Sequence, residues 1–164
     1  MKRLSILLLC VLVVMTSCGR RRKAPASDTA APQPAVFLPA IPPSRLSAAE
    51  QQEWLRWHYW DRFNFSDTLF LTRVDSSQLF EAYARYVVLL GGRPTDGAPM
   101  DSLMRRASTS RRMLDYFSKM AEVVLHDPNS PLRNDEFYIP VLEAQLRAPW
   151  YDEYERIAPQ YDLQ

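Results

Sequence analysis

The chain has 164 residues, of which 47% are hydrophobic and 24% charged, and its formal net charge is +1. Six of its 20 basic residues lie before residue 24, where no acidic residue occurs, so the rest carries 14 basic and 19 acidic residues, a net charge of −5. A mildly acidic body does not favour nucleic acid, and no nucleic-acid partner is expected. The two cysteines, Cys10 and Cys18, both lie near the start of the chain, which excludes disulfides, thiolate metal sites and CxxC redox chemistry from the rest of it.

Residues 1–17 have the pattern of a signal peptide. Lys2 and Arg3 precede an apolar run that ends in small residues just before Cys18. A transmembrane helix is one alternative, but the run is shorter than the roughly 20 residues that a span needs. The other alternative is an ordinary cleaved signal peptide in which Cys18 has no special role.

The end of this segment, Met15-Thr16-Ser17-Cys18, resembles a bacterial lipobox, in which cleavage before the cysteine leaves a lipidated first residue. The resemblance implies a thioether-linked diacylglycerol and an N-acyl chain on Cys18. Several acyl chains give lasting anchorage where a single chain is marginal. We therefore expect lipidation at Cys18 and a membrane partner through that lipid.

Residues 18–46 are predicted to form a lipidated, mostly disordered tether, because proline and alanine dominate them. The basic residues 20–23 either contact anionic head groups or simply keep the linker soluble. The end of the tether carries Phe37, Leu38 and Ile41, which could lie along the surface of the domain that follows.

The body, residues 47–164, is predicted to be an all-α bundle of about five helices. Ser47 and Glu50 have capping-box spacing and begin a helix that is expected to run to about Phe63. A second helix is expected to be capped by Ser76 or Ser77 and to end at residues 91–92, with Gly91 as a left-handed cap. Its apolar stripe comprises Leu79, Phe80, Tyr83, Tyr86, Val87 and Leu90.

The third helix is predicted as one long element from about residue 100 to residue 125. Apolar or small residues repeat along it at spacings of four and three, a period that suits packing against antiparallel neighbours: Leu103, Ala107, Ser110, Leu114, Phe117, Ala121 and Val124. Leu114 and Phe117 are expected to be buried against the first two helices, with Trp57 and Tyr83 as partners.

Two shorter helices complete the predicted bundle. Residues 137–147 form the fourth, which must begin late or bend because of Pro140, and residues 150–157 form a short fifth element before Pro159. The only strand signal, residues 68–71, is too short to seed a sheet.

Two groups of residues could form a chemical site. His58 and His126 are the only histidines, and Asp61 lies one turn beyond His58, but a metal would need a further ligand; structural roles are favoured for both histidines. Aromatic residues crowd the first helix and would suit a binding groove, although packing in the core is favoured: Trp54, Trp57, Tyr59 and Trp60.

Two polar segments could also form a binding site. Residues 127–135 are expected to form a structural corner, since Asp, Asn and Pro suit turns. Four arginines on the third helix form either a positive ridge or, as favoured here, a solvated face: Arg105, Arg106, Arg111 and Arg112. Glycine-rich phosphate loops, GxSxG and HExxH are absent, so we expect no catalytic residue, no cofactor and no metal.

Residues 126–143, with residues 58–67 upstream, resemble the helical N-terminal domain of unknown function found in Bacteroidales lipoproteins. That domain usually precedes a thioredoxin-like domain, and the similarity covers about residues 37–164. The resemblance implies an outer-membrane lipoprotein, and the basic residues after Cys18 favour an orientation facing the periplasm. The chain ends at Gln164 and has no CxxC, so no dithiol oxidoreductase activity is expected.

We therefore expect a lipid-anchored envelope protein whose helical domain is a non-catalytic interaction module. It would be either a stand-alone module or one that has lost its thioredoxin-like domain. One alternative is an accessory domain for a separate thioredoxin-like redox protein. The other is a small-molecule binder that uses the aromatic first helix.

Overall fold

The computed structural model describes residues 35–91 and 97–164. Within them the fold is all-α, as predicted, with no strand or sheet apart from one isolated bridge between Ala35 and Val74. The helices are α1 (Ala48–His58), α2 (Phe70–Arg73), α3 (Ser76–Gly91), α4 (Ala98–Ala107), α5 (Arg111–Ala121), a π-helical turn (Glu122–His126), α6 (Asp135–Arg147) and α7 (Ile157–Asp162).

Helix α1 begins as predicted and ends early. The Ser47 N–H donates to Glu50 Oε2 at 2.8 Å, and the Glu50 N–H donates to Ser47 Oγ at 3.4 Å, which completes the capping box. The bond from the Ser47 hydroxyl lowers the pKa of Glu50. The helix stops at His58 instead of Phe63, because the turns that follow bring Tyr59, Trp60 and Phe63 into the core.

The prediction of a single long third helix is wrong, because α4 and α5 are separate helices with a break at residues 108–110. The Ser108 hydroxyl donates to the Met104 carbonyl at 2.8 Å, and Ser110 caps α5 by accepting from the Met113 N–H at 3.2 Å. Serine side chains that bind nearby backbone groups compete with a continuous helix. The predicted burial is confirmed on both sides of the break, for Leu103, Ala107, Leu114, Phe117, Ala121 and Val124.

The ends of α3 also differ from prediction. Asp75, rather than either serine, lies before the first turn and accepts from the Ser77 N–H at 2.9 Å. Gly91 is the last helical residue and is not left-handed. In the described residues the glycine with positive φ is Gly97, at 73°, just before α4. A Cβ there would lie 3.0 Å from the Glu136 carbonyl oxygen, so two reasons favour glycine at this position.

The last two helices begin at positions that the prolines did not predict. Asn134 caps α6 by accepting from the Phe137 N–H at 3.0 Å, so the helix starts at Asp135 and contains Pro140 in its second turn. The prediction of a helix over residues 150–157 is wrong: α7 starts at Ile157. Pro159 lies in its first turn, where no intrahelical N–H donor is needed.

The core is centred on Phe117 of α5, which is fully buried. Its ring centroid lies 5.3 Å from that of Trp60 and 5.5 Å from that of Phe63, both in edge-to-face geometry. Tyr83 of α3 lies 6.3 Å away, which confirms one predicted partner. The other prediction is wrong, because Trp57 is 48% exposed and Trp60 takes the position expected for it.

Residues 35–46, assigned above to the tether, are packed on the helices. Phe37 is buried and stacks on Trp60 with a centroid distance of 4.7 Å. The side-chain amide of Gln78 on α3 forms two hydrogen bonds with the backbone of Phe37. It accepts from the Phe37 N–H at 3.2 Å and donates to the Phe37 carbonyl at 3.0 Å. Leu38 and Ile41 remain exposed. The folded unit therefore begins before residue 47.

Replacing Phe117 by alanine should lower the free energy of unfolding by about 3–5 kcal/mol, because the ring fills the centre of the aromatic core. Arg112→Ala, at an exposed position of the same helix, should change it by less than about 0.5 kcal/mol. Urea denaturation followed by circular dichroism gives both values. Equal stabilities for the two variants would show that the Phe117 ring does not hold the core together.

Candidate functional site: an apolar groove beside the third and fifth helices

An exposed apolar groove of about 480 Å³ lies between α3 and the outer face of α5. On α3, Ser77, Phe80 and Glu81 are spaced by three and four residues and therefore share one face. On the other side, a row at the same spacing continues from α5 into the π-helical turn and comprises Tyr116, Lys119, Met120 and Val123. Phe80 is 38% exposed and Val123 is 43% exposed.

The charges at the rim of the groove are paired with neighbours on their own helices. Lys119 Nζ lies 2.8 Å from Glu122 Oε2, and Glu81 Oε2 lies 3.3 Å from an Arg85 nitrogen. Partial burial raises the pKa of Tyr116, the aromatic residue on the α5 side. The groove thus offers an apolar surface bordered by neutralised charges, the composition of a protein-contact patch.

The π-helical turn contributes Val123 to the groove, at the end of the row that begins with Tyr116. The Asp127 N–H donates to the Glu122 carbonyl at 3.0 Å, the i→i+5 bond of a π-helix. Val124 and Leu125 of this turn are buried, while Val123 stays at the surface. Single π-helical turns inside helices are frequent at functional sites.

A second cavity, of about 430 Å³, lies between the π-helical turn, α6 and α7. The His126 ring stacks on Tyr138 with a centroid distance of 4.7 Å, and its buried Nδ1 has no hydrogen-bond partner in the described residues. Burial, with the nearby charges of Asp162 and Glu122, raises the pKa of Tyr138 to about 12. Three acidic residues, Glu122, Glu155 and Asp162, line this cavity, which suits an apolar partner less than the groove does.

The two histidines are not brought together by the fold into a metal site. His58 Nδ1 lies 2.6 Å from Asp61 Oδ2, and Arg106 reaches Asp61 Oδ1 at 2.9 Å, so this cluster ties the end of α1 to α4. His126 lies on the π-helical turn and stacks on Tyr138. The described residues contain no group of three or more ligating side chains suited to a metal.

The aromatic residues of the first helix divide between core and surface. Tyr59 and Trp60 are buried, as the core interpretation predicted, while Trp54 stacks on His58 with a centroid distance of 4.3 Å. Neither cavity described above includes any of these aromatic residues. The core is therefore built by Tyr59 and Trp60, which follow the end of α1, while Trp54 and Trp57 on the helix itself stay outside it.

The predicted polar features are structural. Asp127 Oδ1 accepts from the Asn129 N–H at 2.8 Å, and the Asn134 N–H donates to the Leu125 carbonyl at 3.0 Å, which closes the predicted corner. The arginines form no continuous positive ridge. Arg105 lies 2.9 Å from Asp101, and Arg111 pairs with Glu155.

The groove was not found from the sequence. Phe80 was assigned to the buried stripe of α3, and the outer row of α5 was not singled out. The sequence does contain a pattern that indicates this surface. It is a second row at helical spacing that starts at Tyr116, one position before Phe117 of the buried row. Cys18, the predicted lipidation site, lies outside the described residues. Within the described residues, no helix is both long enough and apolar enough to cross a membrane.

The described residues form a small all-α domain with an exposed apolar groove. The chain belongs to the family described as Domain of unknown function (DUF5106), whose model matches residues 17–164. No curated protein matches the chain.

A crystal structure of a thioredoxin-like protein from Bacteroides caccae is similar to this chain. The two share 34% sequence identity with a TM-score of 0.69, over 79% of this chain and 47% of the other. The chain thus spans about half the length of that structure. The predicted similarity to the helical domain that accompanies thioredoxin-like domains is confirmed by the family match and by this structure.

Alkaline pH should destabilise the domain. The raised pKa of Tyr138 means that the folded protein holds this proton up to about pH 12, whereas an unfolded tyrosine loses it near 10. The stabilisation is complete below pH 10 and is lost as the pH rises towards 12. Urea denaturation at several pH values measures the decline. Tyr138→Phe should make it shallower, and an unchanged slope in that variant would contradict the account.

Proposed function

We propose that the protein is a lipid-anchored envelope protein whose helical domain is a non-catalytic interaction module, and that its partner is a thioredoxin-like domain. The observation that carries the proposal is the apolar groove between α3 and α5. Burial of apolar surface drives most protein association, and a contiguous exposed patch of this kind marks a contact site.

The choice of partner rests on the Bacteroides caccae relative. That protein is described as thioredoxin-like, and this chain corresponds to about half of it. We propose that the remaining part of such a protein supplies the domain against which the helical domain packs. We propose that Phe80, Tyr116 and Val123 form the contact surface for such a domain, in the same chain or in a separate protein.

The anchor is a separate part of the proposal. The lipobox-like sequence before Cys18 supports acylation at that cysteine. The family resemblance supports the outer membrane, and the basic residues 20–23 support an orientation facing the periplasm. Lipid attachment would hold the helical domain near envelope proteins and raise its effective concentration towards a membrane-bound partner. The Pro/Ala-rich residues after Cys18 would set the reach of the domain from the membrane.

Photo-crosslinking in the host bacterium tests the contact. The full lipoprotein carrying p-benzoylphenylalanine in place of Phe80 should form an adduct with a thioredoxin-like polypeptide, identified by mass spectrometry. The photoreactive residue at Tyr161, which is 77% exposed on α7, is the matched control and should not give that adduct.

An adduct at position 80 that contains only proteins without a thioredoxin-like fold would contradict the choice of partner. Equal adducts from positions 80 and 161 would contradict the role of the groove. The anchor is tested in the same cells: Cys18→Ser should move the protein out of the membrane fraction, and unchanged fractionation would contradict lipidation.

A further inference from the structure

The first described segment of the chain presents apolar side chains to solvent. Val36 is 59% exposed and Leu38 is 57% exposed, whereas Phe37 between them is buried. Neighbouring side chains of an extended segment point to opposite sides, so the burial of Phe37 turns the other two outward. The Phe37 N–H and carbonyl are both bonded to the amide of Gln78, which fixes this orientation.

Val36 and Leu38 line a second groove, of about 200 Å³, which we call the N-terminal groove. Phe63 and Phe70 add aromatic surface to it, and Arg62 is the one charged residue of its described lining. Arg62 is exposed and forms no ion pair or side-chain hydrogen bond with any residue that the structure describes. The N-terminal groove therefore combines apolar surface with a single positive charge that no carboxylate balances.

The N-terminal groove lies at the end of the domain from which the chain continues towards Cys18. Sixteen residues, 19–34, separate Cys18 from Ala35, and residues 20–23 are all basic. If Cys18 carries lipid, as proposed above, Val36 and Leu38 are the exposed apolar side chains closest to the anchor along the described chain. A tethered domain has a high effective concentration at the bilayer, so a contact too weak to recruit a soluble protein is still populated.

We infer that the N-terminal groove lies on the surface of the phospholipid bilayer that holds the anchor. Val36 and Leu38 enter the boundary between head groups and acyl chains, where the apolar side chains of peripheral proteins are stable. The Arg62 guanidinium donates to lipid phosphates, whose oxygens match its fork of N–H donors. The inference rests on the lipid anchor of the proposed function.

Charge and composition together favour lipid as the occupant. A phospholipid presents an anionic phosphate next to apolar chains, which is the complement of a lone arginine beside apolar side chains. The N-terminal groove shares no lining residue with the groove between α3 and α5. Contact with the membrane therefore leaves Phe80, Tyr116 and Val123 available for a partner domain.

Fluorescence quenching in vesicles tests the contact. The full lipoprotein, carrying Val36→Cys labelled with the fluorophore NBD, is reconstituted in vesicles of phosphatidylethanolamine and phosphatidylglycerol. Lipids with a spin label near the head group should quench the fluorophore at position 36. Val88→Cys is the matched control, because Val88 on α3 is also 59% exposed and does not line the N-terminal groove; its fluorophore should lose no intensity.

The role of the charge is tested in the labelled Val36→Cys protein. Arg62→Gln should reduce the quenching, because it removes the charge that faces the phosphates. Arg112→Gln on α5 is the control, since Arg112 is also exposed and without an ion pair in the described residues; it should leave the quenching unchanged. Equal effects of the two substitutions would overturn the contact between Arg62 and phosphate.

The anchor and the membrane contact fail in different ways. Equal quenching at positions 36 and 88, in lipoprotein that stays on the vesicles, would overturn the contact and leave the anchor intact. Reaction of the parent protein with the fluorophore would reveal a free thiol at Cys18, the last cysteine of the chain, and would contradict the anchor and the inference together. Because the vesicles contain no other protein, quenching at position 36 alone assigns the contact to lipid.

Discussion

The structure depends on one cluster of aromatic rings around Phe117. Trp60 is its second centre: its ring lies 5.3 Å from Phe117 and 4.7 Å from Phe37. Such contacts contribute about 0.5–1.5 kcal/mol each beyond the area that they bury. Because the rings come from the start of the folded unit, from the turn after α1 and from α5, the cluster joins segments that are distant in sequence.

This arrangement determines which surfaces are left for function. Helix α5 turns the row that contains Phe117 inward, so the neighbouring row with Tyr116 and Lys119 faces α3 at the surface. Phe80 is placed opposite that row because Leu79 and Tyr83 occupy the core side of α3. The groove is therefore a geometric consequence of the core.

Sequence patterns were sufficient where the determinant is local. The capping box of Ser47, the corner after Asp127 and the burial of Leu114 each depend on residues a few positions apart. The break at residues 108–110 was missed, because the apolar repeat continues across it while the serines bind the backbone. Exposure of Trp57 and Phe80 could not be predicted, since a helix with a broad apolar side does not reveal which part a distant segment will cover. The position of the groove likewise depends on which part of each helix the distant segments cover.

We propose that a partner covers the groove beside α3 and α5 in the cell envelope. Hydroxyl-radical footprinting measures this directly, by comparing the purified protein with the same protein in intact envelopes of the host bacterium. We predict that Phe80 and Tyr116 are labelled in the purified protein and protected in the envelope, while Tyr161 is labelled in both. Equal labelling of Phe80 and Tyr116 in the two preparations would contradict the account.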